Sequence, residues 1–357
     1  MRARSPSPVF RPVFGRYSPA RLVWLVGLGL LVLAAAMALS AFYGGVPLHL
    51  ADALAGRGTD GTILLELRLP RIVLAAVVGS ALCASGATLQ SLLQNPLADP
   101  FVLGISGGAA VGGTTALLLG EWLKGSPLAK AMGNGVSLST VFGFAGALGA
   151  VALVRLLAAQ GGRISAAAAL LAGAVLNAMA GALVLLAELA ISPERAQQIL
   201  LWLSGSFGYP AWPSLAWCGA LILVGCAVLC ALAGRLRLIA LGTEEAAQLG
   251  VDVPATVRWA LAASSLAVAA AVALSGLIGF VGLLVPHLLR LWLGPDQRLL
   301  LPASVIFGAA FLVATDGVAR LAFLPAGVEP PVGAVTALLG GPLFLLLLRR
   351  ELRGSVT

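Results

Sequence analysis

Asp316 and Arg320 lie four residues apart in an otherwise apolar stretch, a spacing that puts two side chains on one helix face. A lone charge in a bilayer costs about 2.5–3.5 kcal/mol on insertion scales, so mutual neutralisation is the first reading of Asp316. Arg320 lies nearer the outer end, where it could also snorkel or dock. Arg68 and Arg71 flank Pro70 just ahead of a long apolar run. Two arginines on an outer face oppose the positive-inside bias. They read either as interfacial snorkelling or as a surface for an anionic partner. Thr243, Glu244 and Glu245 read as an N-cap followed by two acids at the positive end of a helix dipole. Gly250 stands where a C′ glycine would stop that short helix. A capped helix between two apolar spans is either an amphipathic surface element or a knob for a partner protein.

Enzymatic chemistry is not expected in this chain. No nucleophile–base pair or carboxylate dyad stands out in the sequence. The phosphate-binding pattern GxxxxGK[ST] is missing, since Leu123 precedes Lys124 and Ala129 precedes Lys130. If ATP drives the protein, another polypeptide binds it. His287 follows Pro286 at a span end and reads as a hydrogen-bonded structural residue rather than a metal ligand. Cys83, Cys218, Cys226 and Cys230 lie in apolar spans without a CxxC pair and read as buried thiols. No metal site is expected.

The elements that must position these residues are set by composition. The chain has 357 residues, 60% hydrophobic and 10% charged, whereas soluble domains are about a quarter charged. Apolar stretches long enough to cross about 30 Å of hydrocarbon recur along nearly its whole length. Runs such as Leu22–Tyr43 are apolar all round, which selects helices over a barrel whose strands would alternate. The expectation is an all-α polytopic membrane protein of ten spans, at 22–43, 72–94, 101–120, 136–158, 166–190, 214–234, 256–274, 276–293, 300–321 and 332–348. The first is read as uncleaved, being longer than a signal-peptide core. The net charge of +8 is dispersed in ones and twos, not gathered into the stripe that a nucleic acid needs. A cytoplasmic N-terminus places Arg155, Arg163, Arg235, Arg237, Arg290, Arg298, Arg349, Arg350 and Arg353 on the same side, so both termini are read as cytoplasmic. The organisation is a tail (1–21), one membrane domain (22–348) with a polar excursion at 235–255, and a second tail (349–357).

Between Gly79 and Gly112 a helix turns polar at Gln90 and Gln94, is broken by Pro96 and Pro100, and resumes with Gly104, Gly108 and Gly112 one per turn. A polar elbow between two glycine-rich helices suits a lining that opens and closes. Small-residue faces also occur at Gly143/Gly146/Gly149 and Gly173/Asn177/Gly181, where helices approach closely. Asn177 is the member expected to face a cavity, because an unpaired amide in lipid is costly.

Taken together, LRLPR, SG…Q…NPLADP…LGISGGA, LWLSGSF, ALGTEEAAQLGV, GFVGLLVPHLLR, LPAS…TDGVAR and PVGAVTALLGGPLF resemble, in order, the membrane permease of the ABC importers for iron chelates, haem and cobalamin. The resemblance runs from Leu67 to the C-terminus. It implies the type II ABC importer permease architecture and a homodimer in the bacterial inner membrane. Two cytoplasmic ATPase subunits, which carry ATP and Mg, and one periplasmic binding protein would complete the assembly. Arg68, Arg71 and Arg320 match basic positions that meet acidic side chains of the binding protein, which moves their reading from snorkelling to docking. Asn95 to Leu97 match one cytoplasmic gate, and Ala166 and Ala167 fall at the other. Leu241, Gly242, Thr243, Glu244, Glu245, Ala246, Leu249 and Gly250 fall in the coupling helices seated on the ATPase. Cargo would pass between two copies along the second, fifth and neighbouring spans, lined by Gln90, Gln94 and Asn177. Gln197 and Gln198 stand where haem permeases tend to place an arginine, which favours an iron–siderophore complex over cobalamin and haem. A rival reading is an ion-coupled secondary transporter built around Asp316.

Overall fold

A computed structural model describes residues 17–42, 48–123, 126, 137–160, 163–164, 166–189, 191–323 and 329–354. Ten apolar helices carry the fold: α1 (Pro19–Phe42), α2 (Leu69–Leu92), α3 (Ile105–Leu123), α4 (Leu138–Ala158) and α5 (Ala166–Glu188), then, after short α6 (Pro193–Leu203), α7 (Trp212–Ala231). Two short helices, α8 (Ala233–Ile239) and α9 (Thr243–Gln248), precede α10 (Val253–Ser275), α11 (Val281–Leu293), α12 (Gln297–Phe323) and α13 (Val332–Gly354). Seven of these runs are long and apolar enough to cross a membrane, and α3, α11 and α13 contribute shorter apolar segments. Each falls on a span expected from hydropathy. The described strands are a two-residue hairpin between α4 and α5, with Ala159 opposite Ile164 and Gln160 opposite Arg163.

The helical run that contains α2 begins earlier than its apolar composition suggests. Helix starts at Gly58 and passes through a π-helical turn at Ile63–Arg68 before α2. Pro70 has no amide to donate, and the wider π turn ahead of it lets the chain continue where an α-turn would break.

α2 is the centre of the bundle, buried on nearly every face from Ile72 to Ser91, its serines, Thr88 and Gln90 included. α7, α10, α11 and α12 pack around it, α1 lies outside α12, and α3, α4 and α5 form the flank that α4 joins to α10. Two glycines permit the central contacts. A methyl group on Gly79 would collide with the Gly308 carbonyl of α12, and one on Gly86 with the Gly282 carbonyl of α11. The small-residue face of α3 is used in the same way, with Gly108 and Gly112 against Gly146 and Phe142 of α4. The peripheral α5 and α13 instead leave rows of leucines exposed, among them Leu171, Leu183, Leu186, Leu338 and Leu345.

Candidate functional site

At one end of the bundle, the start of α2 meets the end of α12. The Arg71 guanidinium grips Asp316, with Nε 3.3 and 3.2 Å from the two carboxylate oxygens and Nη2 2.9 Å from Oδ1. Arg320 closes the expected i,i+4 pair, its Nε 3.1 Å from Asp316 Oδ2, and also donates to Ser40 of α1. The third arm of Arg71, Nη1, lies 2.6 Å from Glu329 Oε2. The Tyr209 ring centroid is 6.0 Å from the same guanidinium. Arg68 donates through Nη1 to the carbonyls of Ala41 and Phe42, at 2.7 and 3.3 Å. Arg71 and Arg68 are only 4% and 7% exposed, so as they stand neither offers an open cation to a docking protein. Sequence reasoning found the Asp316–Arg320 pair but missed Arg71 as its partner, Glu329 and Tyr209. The available signal was a charge mismatch: one buried aspartate cannot balance three arginines.

The elbow after α2 is built from side-chain turns. The Asn95 amide donates to the Gln90 carbonyl, 3.1 Å away, closing a Schellman-type C-terminus. Gln94 sits at the left-handed C′ position, with φ of 47°, and its Nε2 donates to the Ile239 carbonyl of α8 at 3.3 Å. Asn95 Oδ1 accepts from the Leu97 amide at 2.9 Å, and Asp99 Oδ1 from the Phe101 amide at 2.8 Å. These two Asx turns carry the chain past Pro96 and Pro100. Asn177 of α5 pins the segment that follows. Its Oδ1 accepts from Ser106 Oγ at 3.2 Å and from the Gly107 amide at 2.9 Å, while Nδ2 donates to the Phe101 carbonyl at 3.1 Å. Asn177 also borders a cavity of about 410 Å³, shared with Gly181, Glu188 and Leu200.

Gln90 requires a correction. It is 1% exposed and donates to the Leu283 carbonyl of α11 at 3.2 Å, inside the subunit rather than on an open lining. α2 is enclosed on all sides, so a polar residue on it finds a helix partner, not water. Ala166 and Ala167 open α5 directly after the hairpin; their side chains lie outside the described residues.

The opposite end carries the short helices. Gly242, not Thr243, caps α9, and Thr243 is its first helical residue. A threonine cap was expected from residue type, yet the backbone of Gly242 (φ 153°, ψ 145°) is one that glycine adopts without strain. Gly250 does occupy C′, at φ of 83°, and the Val251 amide donates to the Ala246 carbonyl at 3.0 Å. Asp252 Oδ1 then accepts from the Ala255 amide at 2.9 Å and starts α10. Ala246 is fully buried, while Glu244 and Glu245 are exposed. Leu241 and Leu249, at 68% and 63% exposure, flank the helix as two apolar studs.

Beside them, Arg298 Nη2 lies 2.8 Å from Asp296 Oδ2, Arg237 Nε is 3.7 Å from the same oxygen, and Arg298 stacks 4.0 Å from the Tyr17 ring centroid. Burial alone would raise the Asp296 carboxyl, but hydrogen bonds from Arg298 and the charges of Arg298 and Arg237 hold it below its ordinary value. Tyr17, α8 and the turn before α12 therefore share one end. Among the described residues, no three His, Cys, Asp or Glu are close enough to hold a metal ion.

Comparison with known proteins agrees with this architecture. The model of the FecCD transport family matches residues 30–350. The cobalamin import system permease protein BtuC of Halobacterium salinarum is 43% identical over 297 residues, covering 83% of this chain and 76% of that protein. The hemin transport system permease protein HmuU of Yersinia pestis is 41% identical over 289 residues, 81% of this chain and 84% of that protein. A solved ABC transporter described as metal-chelate type, in an inward-facing conformation, superposes with a TM-score of 0.76 at 32% identity, covering 92% of this chain and 99% of its own. The chain belongs to the FecCD transport family and is the permease of an ABC importer of the FecCD/BtuC type.

Proposed function

We propose that two copies of this chain form the conduit of an ATP-driven importer that takes a metal chelate from a periplasmic binding protein across the bacterial inner membrane. Both termini then lie in the cytoplasm, and two separate ATPase subunits hold ATP and Mg. The observation that carries this reading is the capped, exposed α9 between Leu241 and Leu249. Six helical residues, anchored to the subunit by buried Ala246, leave two outward leucines of the kind a partner's groove takes. ATP binding draws the ATPases together and moves α8 and α9. The bond from Gln94 to the Ile239 carbonyl gives that motion a path to the elbow at Asn95–Leu97, one of two cytoplasmic gates. Ala166 and Ala167, at the start of α5, would form the other. Nucleotide, cargo and docked binding protein each shift access only by their differential affinity for the two states. Arg68, Arg71 and Arg320 remain the basic positions for binding-protein docking.

For cargo we favour an iron–siderophore complex, supported by the exposed Gln197 and Gln198 on α6. Cobalamin is the second reading, favoured by the identity with a permease named for it. The test is reconstitution with the cognate ATPase and binding protein, comparing the unmodified chain with a Glu244→Arg/Glu245→Arg variant. Loss of ATPase association and of uptake in the variant is expected. Failure of the ATPase to bind even the unmodified chain would overturn the importer reading. Competition among a ferric siderophore, cobalamin and haem for uptake in the same vesicles decides the cargo.

A further inference from the structure

We propose that Glu329 is a displaceable internal occupant of Arg71, and that an acidic side chain of the docking binding protein takes its place and so releases the start of α13. The proposal rests on the docking reading above and adds to it the carboxylate that must first leave.

Arg71 holds two carboxylates of unlike kind. Asp316 is 1% exposed and engages Nε and Nη2; removing it would strand buried cations. Glu329 is 56% exposed and engages Nη1 alone, so water and solutes reach one side of the pair. Solvent screens the Glu329 side of this pair, and another carboxylate can replace Glu329 without stranding the buried guanidinium. Arg71 and Arg320 are paired with Asp316 and Glu329, two cations to two carboxylates. An incoming anion competes with Glu329 for Arg71 rather than filling a vacant cation. An incoming carboxylate meets the one Arg71 arm whose present partner is half in solvent.

The exchange has somewhere to go. Glu329 is followed by Pro330 and Pro331, which run straight into α13 at Val332. Paired prolines fix their own φ and hold the residue before them extended, so Glu329 and the first turn of α13 move as a stiff unit. That first turn is seated by a backbone bond, Gly333 amide to Gly205 carbonyl at 2.8 Å, and by Val332 in the core. Gly333 also lies so close to the Ser204 carbonyl that a methyl group would collide. Beyond it, α13 displays Leu338, Leu339, Leu345 and Leu346 outside the subunit. Docking at Arg71 is thereby linked to the seat of α13, whose first turns bury Val332 and Thr336 while its later outer face turns away from the subunit.

The test uses the permease–ATPase complex in nanodiscs with its binding protein, comparing the unmodified chain with Glu329→Gln, Glu329→Asp and Glu66→Gln. Without binding protein, Glu329→Gln should speed hydrogen exchange at the amides of Val332–Thr336 about fivefold, and Glu329→Asp by less. Docking to the unmodified complex should reproduce that increase. Affinity for the binding protein should rise about tenfold in Glu329→Gln. In Glu66→Gln, which removes an equal charge two residues from Arg68, it should change less than twofold. Equal exchange in Glu329→Gln and the unmodified complex overturns the latch. So does an unchanged affinity, or the same gain from Glu66→Gln, which reduces the effect to overall charge. If exchange rises in Glu329→Gln but no binding protein docks to either form, the docking reading itself falls, and the proposed occupant with it.

Discussion

The two ends of α12 carry ion pairs of opposite character. At its start, Asp296 sits with Arg298 and Arg237 in partial contact with solvent, their side chains 19%, 33% and 45% exposed. At its far end, Asp316 is enclosed with Arg71 and Arg320. The same chemistry has different consequences in the two places. Solvent screens the first cluster and lets its members find other partners. The second has been stripped of water, and each member is tolerable only while the others remain. Charge thus fastens the helix hard at the Arg71 end and only lightly at the Tyr17 end, where buried Leu299, Leu300 and Leu301 hold it instead.

Removing one charge at each end should expose the contrast. Asp316→Asn leaves two arginines buried without their carboxylate and should lower stability by about 3–5 kcal/mol, read as a fall in the unfolding midpoint in detergent. A loss comparable to that of a surface pair would break the distinction. Gln297→Ala lies between the extremes. Gln297 is buried at the Tyr17 end and donates to the Ser91 hydroxyl of α2, and its loss should cost about 1 kcal/mol. Asp296→Ala should cost less than about 1 kcal/mol in the same measurement.

The smallest effect is the pH dependence of that outer pair. Asp296 is held below its ordinary value in the folded state, so it binds fewer protons folded than unfolded. Its stabilisation is complete above the ordinary carboxylate range, about pH 4 and higher, and is lost as pH falls through the depressed folded value. Unfolding midpoints of Asp296→Ala and the unmodified chain should therefore stay apart at neutral pH and draw together under acid. Convergence between pH 6 and 8 would contradict the assignment.

The helices were legible because lipid leaves the backbone one practical solution, so long apolar runs map onto spans almost directly. Asp316 and Arg320 were legible as a pair because a helix repeats every four residues. Arg71 was not, since it reaches Asp316 across 245 residues of sequence, and no local pattern encodes that distance. Gln90 misled for a related reason. On an amphipathic helix a polar residue marks the wet face, but α2 has no wet face, so a carbonyl of α11 receives its amide instead. Residue type points to Thr243 as a cap, whereas position along the turn gives that task to Gly242. Gly250 was read correctly because the αL stop of a short helix has few other solutions.

The glycines of α2 that touch α11 and α12 have a consequence for how such a subunit diversifies. At Gly79 and Gly86 the addition of one carbon is a collision with backbone, and backbone cannot be repacked by changing a neighbour's side chain. The middle of the molecule is therefore nearly closed to substitution, while α5, α6 and α13 carry side chains that end in open space. Adaptation to a new cargo has to be written at that rim. Two lineages transporting different molecules would keep the same interior and differ along its edge.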